Sequence, residues 1–212
     1  MDKHPWEYWT KDGKARPLAG EIVQTLERAL KLKPEHPLAN HLYIHAIEAS
    51  PHPEKAISAA DRLRSLVPGA GHLVHMPAHI YIRVGHYHDA SLANVQAIKA
   101  DNQYVAQCHA QGLYPLGYMP HNEHFLWFSA TFEGRSEIAL KAARHMAHHV
   151  DKKLLRDKDL GGMLQWYYVT PTLALVRFGR WDEILELPEP DKDLTYPRAM
   201  WHYARGMALA RT

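Results

Sequence analysis

Two histidines four residues apart on a helix project the same way and can share one ion, and this chain carries that arrangement twice. His41 and His45 form one pair, with Glu48 three residues further on, and His75 and His79 form the next. Adding 34 takes His41 to His75 and His45 to His79, while adding 49 takes His72 to His121 and His75 to His124. On an α-helix, residues i and i+4 differ by about 40° around the axis, and i and i+7 by about 20° the other way. His41, His45 and Glu48 therefore make one stripe, His75 and His79 a second, and His72 and His121 stand one turn earlier on neighbouring faces. Pro77, between His75 and His79, falls at the start of its helix, where proline is best tolerated.

Such a set points to a metal. His41, His45, His75, His79 and His124 are the first-choice ligands, with Glu48, His72 and His121 next. Asn122 and Glu123, lying between two of these histidines, are placed to orient them. Arg83, one turn past His79, and Tyr81 are the candidate substrate-binding residues. His145, His148 and His149 belong to an outer helix and are expected as surface residues. Tyr43, Trp127 and Phe128 are expected to pack between helices.

Donors that are nearly all imidazole argue against calcium and magnesium, which prefer oxygen. They suit copper, iron, zinc or nickel, as one or two ions. Hydrolytic two-metal sites generally use bridging carboxylates, and Glu48 is the one good candidate, so copper or iron in an oxidoreductase is favoured over a zinc hydrolase. The competing expectation is a helical scaffold that binds a peptide or partner protein in its groove without catalysis. The single cysteine, Cys108, allows no internal disulfide and no thiolate cluster. No Gly-rich phosphate loop, G-x-S-x-G elbow or Cys–His dyad occurs.

The 17 histidines stand in a chain of otherwise ordinary composition, 46% hydrophobic and 23% charged, as expected of a folded protein. With 25 lysines and arginines against 23 acids, the charge of +2 suggests neither nucleic-acid nor membrane-surface binding. The first ten residues contain no apolar run resembling a secretory signal, which favours a cytoplasmic location.

The elements that position these residues read as helices throughout. Pro34 and Pro68 each close a helical pattern and stand 34 residues apart. Gly85, Gly134 and Gly179 follow similar segments (HIYIRVG, WFSATFEG, LALVRFG) and suit the left-handed conformation at a helix C-terminus. Sustained β-alternation is missing, so the expected class is all-α. Helix–turn–helix units of 34 residues resemble the tetratricopeptide-repeat (TPR) family, most closely at 71–102, where Ala78, Tyr81, Gly85, Ala90 and Ala97 take the small and aromatic positions. HLYIHAIEAS, GHLVHMPAHIYIRVG and PHNEHFLWF further resemble a histidine-rich bacterial group of such proteins.

The resemblance implies one superhelical domain over 1–212, with repeats at about 37–68, 71–102, 121–150 and 162–190. It also implies a concave groove lined by the first helix of each repeat, where a small molecule or peptide would bind. Insertions are expected at 103–120, as a lid or a long loop, and at 151–161. Both ends read as incomplete repeats, which implies a longer natural chain, self-association through the exposed faces, or capping by the N-terminal PWEYW segment.

Overall fold

Proline and glycine set the helix boundaries in the computed structural model, which describes residues 7–108 and 117–211. Pro37 opens α2 (Pro37–Ile47), where the His36 ring accepts a hydrogen bond from the Ala39 amide at 3.3 Å and caps the helix. Gly85, Gly134 and Gly179 have φ of 80°, 72° and 64°, as expected of helix-ending glycines. All regular structure among the described residues is helical, apart from one isolated bridge between Trp9 and Ala15. The protein is all-α.

Two compact units make up the chain, Met1–Ala110 and Gln111–Thr212. In the first, α1 (Ala19–Leu32) packs on α2, α2 on α3 (Ile57–Leu66), and α5 (Pro77–Arg83) on both α2 and α3. The short α4 (Gly71–His75) and α5 lie against α6 (Tyr87–Cys108). Alanines make these approaches close: Ala59 and Ala60 on α3, and Ala90, Ala93 and Ala97 on α6, are buried. Tyr8 is buried and the Trp9 indole donates to the Ala46 carbonyl at 2.7 Å, so this part of the PWEYW segment covers the end of α2. The residues before Glu7 lie outside the described ones.

In the second unit α7 (Met119–Phe132) packs on α8 (Ser136–His148), α8 on α9 (Gly161–Arg177), and α11 (Thr195–Leu209) on both α9 and α10 (Trp181–Leu185). The segment expected as an insertion at 151–161 holds a 3₁₀ turn, Lys152–Arg156, capped by the Asp151 side chain. It buries Leu155 in a cluster with Met146 and Leu164. The other expected insertion, 103–120, begins as helix, because α6 continues to Cys108 through DNQYVAQC, which contains no breaker. The part at 109–116, with His109, lies outside the described residues.

Gly71 opens α4 directly against α6. A Cβ there would run into the Asp101 carboxylate, which is fully buried, and would meet the Ala97 carbonyl at 3.0 Å. Gly71→Ala is therefore expected to lower the unfolding free energy by about 1–3 kcal/mol, the usual cost of overpacking. Gly69→Ala has nothing within 4 Å to meet and should leave the urea midpoint unchanged. Equal midpoints for both variants would contradict this packing.

Candidate metal centre

Five imidazoles and one carboxylate converge in the first unit. α2 supplies His41 and His45, with Glu48 at its C-terminal end; α4 supplies His72 and His75; α5 supplies His79. Pro77 begins α5, and Met76 keeps helical angles (φ −49°, ψ −37°) between the two short helices. The His75 and His79 rings consequently lie 4.8 Å apart, close to the i, i+4 relation expected of one continuous helix. His41, His45 and His72 form one group whose ligand atoms all lie within 4.8 Å of one another, and His45, Glu48 and His79 form another. Either is close enough to hold a metal ion. His75 is fully buried, and His79 is 6% exposed.

The proton positions follow from the partners. Burial alone would raise the Glu48 carboxyl, but hydrogen bonds and charge from His45 and His79 outweigh it and hold the group down to about 2. Glu48 is thus an anion at neutral pH and only accepts. Its Oε1 takes the His45 Nδ1 proton at 2.8 Å, and its Oε2 the His79 Nδ1 proton at 2.6 Å. His75 Nδ1 donates to Asn94 Oδ1 at 2.7 Å, while the Asn94 amide donates to the Ala90 carbonyl and fixes its own orientation. In their neutral forms His75 and His79 therefore carry lone pairs on Nε2, and these two atoms face each other at 2.9 Å. His72 Nε2 and His41 Nε2 face each other similarly at 3.2 Å. Burial, then the neighbouring imidazoles, pushes both His41 and His72 down to about 4, so both are neutral at pH 7.

Of the remaining candidates, His121 and His124 belong to α7 of the second unit. His124, on α7, accepts the Trp166 indole proton on Nε2 at 2.8 Å and packs against Trp127 and Tyr167. Its lone pair is committed to that bond, and it enters no metal-sized group among the described residues. His121 stands one turn before Phe125 with the rings 4.7 Å apart. Tyr81, expected near substrate, is 1% exposed and donates to Asp61 at 2.6 Å under the Arg64 guanidinium, so it ties α5 to α3. Arg83 is exposed on the last turn of α5. Tyr43 is buried and Trp127 packs against the core of the second unit.

Two features escaped the sequence reading. Asn94 sits on a second helix, and its one signal was an amide residue, a poor helix former, inside an alanine-rich run. Glu123 is 2% exposed and turns towards α8, where its carboxylate meets His145 Nδ1. His145 and His149 are exposed as expected, yet their HxxxH spacing carried the same signal as the pairs in the first unit.

Comparison with protein-family models, with curated proteins and with solved structures finds no match.

Proposed function

We propose that the first unit is a transition-metal site and that the chain is a TPR-like helical-repeat protein built around it. One observation carries the metal reading: His75 Nε2 and His79 Nε2 face each other at 2.9 Å, with their opposite nitrogens bonded to Asn94 and Glu48. In the neutral rings these atoms are two acceptors, a contact that a shared proton or a metal ion resolves, and the neighbouring imidazoles supply the further donors that an ion needs and a proton does not. Nitrogens about 2.0 Å from one ion stand about 2.8–3.3 Å apart for right-angle to tetrahedral geometry. Glu48 and Asn94 then act as the orienting partners that accompany metal-bound imidazoles. The repeat reading is supported by the packing order within each unit, where α5 meets α2 and α3, and α9 meets α7 and α8.

Copper or iron in redox or oxygen chemistry fits this donor set better than zinc hydrolysis. Both Glu48 oxygens are engaged by histidines, which removes the one carboxylate suited to bridging two ions or activating water. The burial of His75 and His79 also weighs against a peptide groove, since such side chains offer a peptide little surface.

The test is a metal titration of tag-free protein with copper(II), zinc(II) and cobalt(II). Stoichiometric binding is expected. Glu48→Gln is expected to weaken it roughly 10–100-fold, the usual effect of removing an orienting carboxylate. No stoichiometric metal, or affinities indifferent to Glu48→Gln, would defeat the proposal.

A further inference from the structure

We infer that Glu123, His145 and His149 form a second, independent site for a divalent first-row transition ion in the C-terminal unit. His145 and His149 are i and i+4 on α8, at its C-terminal end, with ring centroids 4.4 Å apart. Glu123 reaches them from α7, and the three residues offer ligand atoms that all lie within 4.8 Å of one another. The carboxylate forms the inner wall of the site at 2% exposure, while the His145 side chain is 46% exposed on the outside.

This division of burial distinguishes the group from a surface cluster. Placing a carboxylate in the helix interface is costly without a compensating cation. A single imidazolium would suffice for an ion pair, yet a second imidazole stands beside the first at ligand spacing. Two nitrogens and one carboxylate oxygen on one face of an ion form the donor set of catalytic zinc sites and of non-haem iron(II) centres, both of which keep positions open for water or substrate. The exposed side of this group gives those positions solvent access. His148, adjacent in sequence with its ring 5.9 Å from that of His149, is outside the group and serves as its control.

Cobalt(II) titration of the full chain, followed by its d–d absorption, tests the assignment. His145→Ala/His149→Ala should bind about one equivalent of cobalt fewer than wild type with its helicity retained in the absence of denaturant, while its urea midpoint falls because buried Glu123 loses its partner. Glu48→Gln should leave this equivalent intact, so the two sites fail separately. His148→Ala should bind as wild type does. A second readout needs no variant: zinc should protect His145 and His149, but not His148, from carbethoxylation. Undiminished cobalt stoichiometry in the double variant, or equal modification of all three histidines with and without zinc, would overturn the site.

Discussion

His79→Ala should abolish metal binding by the first unit and lower its stability by about 1.5–3 kcal/mol in a urea titration. The side chain has two tasks that alanine cannot perform. Its Nε2 is half of the facing pair with His75, so the 2.9 Å donor spacing disappears. Its Nδ1 holds one oxygen of Glu48, an anion whose side chain is 14% exposed. Removing a hydrogen-bond donor to a buried anion costs more than the bond contributes, because the carboxylate oxygen is left without that partner. Glu48→Gln/His79→Ala should therefore regain part of the stability while still failing to bind metal. If His79→Ala binds copper as wild type does, the facing pair is not the metal site.

Acid should destabilise the metal-free protein well above the usual carboxylate range. Burial holds His41, His72 and His124 down to about 4, against 6.5 for an exposed histidine. Between those values the folded chain binds fewer protons than the unfolded one. Stability consequently falls as pH drops from about 6.5 to about 4 and levels off below, by up to about 1.4 kcal/mol per pH unit for each histidine. Glu48 adds a lower stage, its contribution being present above 4.5 and lost as pH falls towards about 2. Urea midpoints measured from pH 7 to pH 5 should decline steadily, and His72→Gln should flatten the decline. The same depression keeps the His41 and His72 lone pairs available, so metal held by that pair should survive to about pH 5. A midpoint constant over this range would mean that burial does not suppress protonation.

The helical class and most helix ends were legible because proline, glycine and the spacing of apolar residues act locally. The stripes of His41, His45, His72, His75 and His79 were legible for the same reason, since repeat offsets carry equivalent positions onto neighbouring helices. What the offsets could not show is where each ring turns once its neighbours are in place. The offset of 49 pairs His124 with His75, yet Trp166 on α9 takes the lone pair of the one, whereas Asn94 on α6 fixes the other. Tyr81 reads as a site residue by proximity, but the Asp61 carboxylate across the α3–α5 interface claims its hydroxyl. Glu123 was visible as a polar residue between two histidines, and its turn towards α8 depends on helix rotation, which one helix's sequence does not determine.

The chain of hydrogen bonds from His45 through Glu48, His79 and His75 to Asn94 also sets an order of events during synthesis. The histidines, Glu48 and the orienting Asn94 span residues 41 to 94, and Asn94, which fixes the His75 tautomer, is the last of them to leave the ribosome. At about 5–20 residues per second, roughly 3–10 s separate the first of these residues from the last. During that interval the emerging segment presents imidazoles whose protons are not yet assigned, so any ion it meets is held loosely and exchanges. On the proposed metal reading, selection among ions is then deferred until α6 docks, and the finished site decides it rather than whichever ion the nascent chain meets first.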